Sequence, residues 1–453
     1  MQSADAQNQS ADKLETFIPF RRQDIIEMCL AEERLSAEDT QKFREFANIL
    51  SALQHFEMLS ELEQLKQCYA PFNPDAIERT TSQSADWKSP TPAKAKELSD
   101  AFRSMLQRMS YAELSDQDIA RALKEETWVH VSTDVNLEDF EELIVCYRGK
   151  STQKIKTKKW YVFDTEVDVP VYHRVAILVR FKNEEYFKSR KSNTSALQVA
   201  SMNFTPGKAY IFHYKDIPQM DLELVFPNVV IGMNWFDKLV VGVPAAAAAV
   251  GAFAKLAPQM LVILGALLFY TLGRDWALAW TGTKESDVND IMPVLAATFA
   301  IATVLGTLLF NQYYAVIFKQ LQFQKTVSDT LFFRNLENNR GALCAFTDLA
   351  EEEETKEMLL AYYFLLTRGN QTATELDQAI EGWLGSQGTS IDFDVSSALT
   401  QLEGFASRQT SMQHPLHVVT QTDDTWAASP ISEACKLLDD LWDHAYTYAN
   451  ADT

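Results

Sequence analysis

Two runs without a formal charge, residues 256–273 and 291–310, constrain this 453-residue chain more than any other feature. At about 1.5 Å per residue each covers roughly 27–30 Å as a helix, the hydrocarbon thickness of a bilayer. Tyr270, Trp276, Trp280, Tyr313 and Tyr314 stand near their ends, where interfacial aromatics gather. The pair predicts a transmembrane helical hairpin. A third apolar run, 239–254, is shorter and admits a brief span, a re-entrant piece or an interfacial helix. The connection 274–290 carries Arg274 and Lys284 against Asp275, Glu285, Asp287 and Asp290, whereas Lys238, Lys255, Lys319, Lys325 and Arg334 flank the pair. The positive-inside rule then predicts two spans with both termini cytoplasmic. The opening residues lack the Arg-rich pattern of a transit peptide and the apolar core of a secretory signal. A bacterial-type inner membrane is the expected setting.

Around this hairpin the chain reads as an α+β membrane protein. Residues 1–15 form a polar tail, 16–126 a helical region, 127–237 a basic β module, 238–318 the membrane region and 319–453 an acidic helical domain. Ser36 to Asp39 has capping-box form before the apolar positions Phe43, Phe46, Ile49, Leu50 and Leu53. Ser115 to Asp118 repeats the signal. From Trp128 the pattern turns to aromatic and β-branched runs of strand length, at 128–131, 143–147, 160–163, 175–181 and 209–212, which predict an antiparallel sheet with one wet face. Beyond the hairpin, a helix over 348–367 opens on the acids Glu351 to Glu354, read as dipole-favoured residues near its start. Thr374 is the expected cap of a helix through Leu384. Three short helices and a β excursion give this domain a winged-helix-like shape.

Charge is unevenly spread over a chain whose net charge is −21. Residues 148–191 hold 12 Lys+Arg against 5 Asp+Glu, while 326–453 hold 6 against 21. The acidic end repels nucleic acid and anionic lipid; the middle attracts them. Lys154, Lys156, Lys158, Lys159, Lys188, Arg190 and Lys191 are therefore the candidate contacts to an anionic headgroup or a partner, each worth about 1 kcal/mol near an anionic leaflet. Nucleic acid is not the expected partner, because no stacking aromatics accompany the lysines.

Chemistry-bearing motifs are sparse. Cys29, Cys68, Cys146, Cys344 and Cys435 are scattered without a CxxC pair, which argues against zinc ribbons and a disulfide framework. There is no HExxH, Gly-x-Ser-x-Gly, Walker-type loop or Gly-x-Gly-x-x-Gly. His414 and His417 flank Pro415, and Asp440, Asp443 and His444 read as a solvated helix face. No catalytic residue, metal ligand or cofactor is expected.

Several short stretches carry a resemblance. Before the apolar runs these are Cys146-Tyr-Arg-Gly149, Tyr214-Lys-Asp-Ile-Pro218 leading to Asp221-Leu-Glu223, and Asp237-Lys238. After them come Phe333-Arg-Asn-Leu-Glu-Asn-Asn-Arg-Gly341, Lys356-Glu-Met-Leu-Leu-Ala-Tyr-Tyr363 and Glu381-Gly-Trp-Leu384. In this order, over roughly 17–446, they resemble the domain-of-unknown-function family 3754, that of mitochondrial transmembrane protein 143 and its plant and cyanobacterial relatives. The resemblance implies two membrane spans and brings no activity, cofactor or catalytic residue. It singles out Arg148, Asp221, Glu223, Arg334, Arg340 and Lys356 as motif positions. The three arginines serve either headgroup recognition or ion pairing that orients the domains.

The expected function is that of a membrane-anchored scaffold or adaptor with cytoplasmic partner-binding domains. Two rivals stand beside it: a hydrolase-like enzyme at the membrane face without a recognisable motif, and an oligomeric channel or transporter. Lipid, an unknown protein partner and a second copy of the chain are the expected partners.

Overall fold

A computed structural model of the chain describes residues 16–76, 91–122, 132–159, 163–190, 204–232, 331–406 and 416–445, with scattered positions between 299 and 329. In chain order the elements begin with α1 (Arg22–Leu30), α2 (Ala37–Tyr69), α3 (Pro92–Arg108), β1 (Ala112–Glu113), α4 (Asp116–Ala122) and β2 (Ser132–Asp134). A long hairpin, β3 (Phe140–Lys159) and β4 (Phe163–Phe181), leads to α5 (Glu184–Arg190), β5 (Ala209–Pro218) and β6 (Val230–Gly232). Then come β7 (Asn335–Asn338), α6 (Asn339–Arg368), β8 (Gln371–Thr372), α7 (Ala373–Ser386) and α8 (Ser396–Gly404). A hairpin of β9 (Val419–Thr422) and β10 (Thr425–Ala428) precedes the last helix, α9 (Ile431–Asp443).

The described residues fall into two units. One takes them from 1–119, 137–219 and 334–453; the other takes them from 120–136 and 220–333. In the second unit β2 pairs antiparallel with β6, and Asn228 Nδ2 donates to the Asn136 carbonyl at 2.9 Å.

The first unit is built on a sheet of order β1–β3–β4–β5–β7, antiparallel at every step. Ile144, Cys146, Ala176, Leu178, Ala209 and Ile211 come from one face of it. They pack with Phe102 and Leu106 of α3 and with Ala342, Leu343 and Phe346 of α6. A second apolar core joins Phe43, Phe46 and Leu50 of α2 to Met358–Leu365 of α6 and to α7, α8 and α9. α2 and α6 run antiparallel: Phe46 stacks on Tyr362 at 4.1 Å, whereas Gln54 meets Glu354. Each helix therefore contributes its two ends to two different cores.

Between those cores α6 carries Glu351 to Glu357, and here the helix departs from expectation. Glu351 to Glu354 lie in the middle of a 30-residue helix, not near its start, and Glu353 and Glu354 are 2 % exposed. Glu353 Oε1 accepts the Ile18 N–H at 2.6 Å; Glu354 Oε2 accepts from Gln54 Nε2 at 2.6 Å and Arg108 Nη2 at 2.9 Å. Burial of the Glu353 and Glu354 carboxylates is tolerated because both have partners. At α7 the cap is Thr372 in a full capping box with Glu375, not Thr374. Ser36 and Ser115 do cap, accepting from Asp39 N–H at 3.1 Å and Asp118 N–H at 3.2 Å.

The membrane reading is corrected. Among the described residues no helix is long and apolar enough to cross a membrane. α2 and α6, at 33 and 30 residues, have the length of a span, but each is interrupted by polar turns that a hydrocarbon core does not accommodate. The runs 239–254 and 256–273 lie outside the described residues, as does 291–310 apart from scattered positions. The transmembrane hairpin, the integral-membrane class and the inner-membrane address are withdrawn. What the described residues form is a mixed α+β fold.

Candidate functional site

Antiparallel register places Arg148 on β3 opposite Arg174 on β4, and Arg174 opposite Lys215 on β5. Arg334, just ahead of β7, extends the row: its carbonyl accepts the Lys215 N–H at 2.8 Å, in step with the pairing of Tyr214 and Asn335. Directly opposite residues share a face, with Cβ atoms about 5 Å apart. Four bases thus stand in line across four strands, roughly 14 Å from end to end at about 4.8 Å per strand.

All four are partly buried. Among the described residues none of them pairs with a carboxylate. Arg148 Nη1 makes a long 3.5 Å contact to the Met109 carbonyl, and Arg174 Nη1 donates to the His173 carbonyl at 2.9 Å. Like charges on neighbouring strands repel, the more so where water is partly excluded. Like charges opposite one another on a ladder destabilise it. A chain that is strongly acidic overall keeps this strip basic, with no carboxylate paired to it among the described residues.

Tyr111 and His213 lie beneath the row. Tyr111 Oη is 3.1 Å from His213 Nε2, and the imidazole packs 4.8 Å from the Phe346 ring. His213 is 3 % exposed, and its Nδ1 is buried without a hydrogen-bond partner among the described residues. Burial pushes the His213 pKa down to about 4, and the Arg174 and Arg148 charges push the same way. Burial pushes the Tyr111 phenol up to about 12 against the pull of the same guanidiniums. Both are therefore neutral at pH 7, and neither offsets the row. Arg148 also has its Cζ 4.9 Å from the Phe17 ring centroid and 5.2 Å from that of Tyr111, distances at which a cation is drawn to an aromatic face.

The lysines named from the sequence are placed elsewhere. Lys154 is exposed and stands opposite Asp168 on the β3–β4 hairpin. The register sets Lys156 opposite Glu166, Lys158 opposite Asp164 and Lys159 opposite Phe163. Three of these four positions thus stand opposite an acid in the strand register. Lys188 pairs with Glu184 one turn back on α5 at 2.7 Å; Arg190 ends that helix, and Lys191 lies outside the described residues. Asp221 and Glu223 are buried in the 3-10 turn Gln219–Val225. Arg340 is exposed in the first turn of α6. Lys356 is buried, 2.8 Å from Glu353, and donates to the Ile18 and Phe20 carbonyls at 2.7 and 3.2 Å.

Of the residues singled out from the sequence, Arg148 and Arg334 belong to the row. Arg174, Lys215, Tyr111, His213 and Phe17 were missed. Arg174 shows in the sequence as a base just before the apolar strand run from Val175, and Lys215 stands inside the Tyr214–Pro218 motif, but both signals acquire meaning only once the strands are in register. His414 lies outside the described residues. His444 Nδ1 is bonded to the Asp440 carbonyl at 2.8 Å on the surface of α9, and no group of metal-ligating side chains is found among the described residues.

Fold and row together define an α+β protein with a basic strip across an antiparallel sheet. A family model described as Protein of unknown function (DUF3754) matches residues 172–341, which hold Arg174, His213, Lys215 and Arg334. This is the family that the sequence resemblance pointed to; the motifs at 146–149, 356–363 and 381–384 lie beyond the match. No solved structure matches the chain.

Proposed function

We propose that this chain is a non-enzymatic binding protein, an adaptor whose sheet takes up a phosphate-bearing group. The observation behind this reading is the row Arg148, Arg174, Lys215 and Arg334, cross-strand neighbours without a carboxylate partner among the described residues. Arginine offers a planar fork of donors that matches phosphate oxygens two at a time, and the lysine adds a compact charge. A dianion seated on the row relieves the mutual repulsion of the bases. The length of the row suits two phosphates better than one. Binding rather than catalysis is favoured by the imidazole and phenol beside the row: His213 is 3 % exposed and packed against Phe346, and Tyr111, 5 % exposed, is bonded to it.

Calorimetry of the full chain with inorganic pyrophosphate, phosphate and chloride tests the reading. Pyrophosphate is expected to bind best, with an affinity that falls as salt rises, and Arg174→Ala to weaken it at least tenfold, the effect of about one charge-assisted contact. Vesicles bearing phosphate-monoester headgroups, set against neutral vesicles, separate a lipid source from a free one. Absence of both pyrophosphate and vesicle binding overturns the proposal.

A further inference from the structure

Residues 16–22 cross the polar turn of α6 and are stitched to it through the backbone. Ile18 N–H donates to Glu353 Oε1 at 2.6 Å, Lys356 Nζ donates to the Ile18 and Phe20 carbonyls at 2.7 and 3.2 Å, and Arg22 N–H donates to Glu352 Oε1 at 3.2 Å. At the other end Ser110 Oγ donates to the Thr16 carbonyl at 3.3 Å. Ile18 is 2 % exposed, anchored in the core beside α1 and α2. The residue before it, Phe17, is the one that meets Arg148.

We infer that this segment is a strap whose Phe17 positions Arg148 for anion binding, so that strap docking and anion binding strengthen each other. The inference rests on the anion-binding reading above. An arginine side chain has many rotamers, and ordering it when a ligand arrives costs affinity. Held against Phe17 and Tyr111, the Arg148 guanidinium is ordered beforehand. Apart from the long Nη1 contact to the Met109 carbonyl, its N–H donors are left for an oxyanion. Whatever stabilises the docked strap then favours the bound anion, and by linkage the anion favours the docked strap. Lys356 and Glu353 touch none of the four bases, yet they hold the backbone that follows Phe17, as Ser110 holds the Thr16 carbonyl before it. They become remote determinants of affinity.

The test uses the full chain and pyrophosphate. Phe17→Leu keeps an apolar side chain and removes the ring; it is expected to weaken binding about three- to tenfold, the worth of one cation–π contact. Phe17→Trp is expected to bind at least as tightly as the parent. Hydrogen exchange at the Ile18 and Arg22 amides is expected to slow when pyrophosphate is added, and Lys356→Met to weaken binding while the row is intact. If the parent binds and Arg174→Ala does not, but Phe17→Leu binds like the parent and exchange is unmoved, the strap is overturned and the anion site stands. If the parent takes up no pyrophosphate, both fall.

Discussion

Glu353 and Lys356 form an ion pair 2.8 Å long, one turn apart on α6, with both side chains at most 5 % exposed. The pair also binds backbone on both sides of Ile18, so helix and strap share a single polar joint. Removing one partner of such a pair leaves a buried charge without compensation.

Glu353→Ala is accordingly expected to lower stability by about 3–5 kcal/mol in urea unfolding. A double replacement, Glu353→Leu with Lys356→Met, is expected to recover part of that loss, because no lone charge stays buried, while the Ile18 N–H and the Ile18 and Phe20 carbonyls still lose their partners. Equal losses in the single and double variants would show that the pair's charges do not set the cost.

Glu357, one residue beyond the pair, has its carboxyl pushed well above the ordinary carboxylate range. Burial raises its pKa well above the usual carboxylate value of 4.5, and the Glu353 and Glu354 charges add to the rise against Lys356. The native state then binds a proton that the unfolded chain releases above about pH 4.5, so this group costs stability as pH climbs from there toward its raised native pKa. Glu357→Gln is expected to stabilise the protein at pH 7 and to change nothing below pH 4.5. Thermal melts at the two pH values read this directly, and a variant that loses stability at pH 7 contradicts it.

His213 acts in the opposite sense. Its pKa, about 4 in the folded protein against 6.5 unperturbed, makes the unfolded chain the better proton binder between those values. Stability is expected to fall as pH drops from 6.5 through 4, by about 3 kcal/mol in all at 1.36 kcal/mol per unit. Replacing Arg174 with Leu removes one of the charges that lower this pKa. The imidazole titration followed by NMR is then expected to move upward; an unmoved midpoint places Arg174 outside the electrostatic reach of His213.

Phe46 packs face to face on Tyr362 at 4.1 Å with no solvent exposure, at the crossing of α2 and α6. Phe46→Ala is expected to cost about 3–5 kcal/mol, from lost transfer energy plus the cavity left in a core that cannot fully collapse. A loss below 1 kcal/mol in chemical unfolding contradicts that packing.

Local features were legible in the sequence. Ser36 and Ser115 cap helices because a cap needs only a side-chain oxygen and an amide three residues on. Strands β3, β4 and β5 announce themselves by apolar and β-branched residues. Where partners are distant, local reading misled. Four consecutive glutamates look like a solvated helix end, but in α6 they sit at mid-helix because Ile18, Gln54 and Arg108, some 250 to 330 residues away, supply their hydrogen bonds. Long apolar runs read as a hairpin in a bilayer, and no described helix has that character.

By itself, then, the amino-acid sequence determined the elements whose causes lie within a turn or two of the residue concerned: caps, strand runs and the acidity of the C-terminal part. Tertiary structure alone decided the basic row and the strap. Arg148, Arg174, Lys215 and Arg334 are spread over nearly two hundred positions and become neighbours only through the register of four strands. Register depends on which faces are buried and where the chain turns back, and no single strand contains that information.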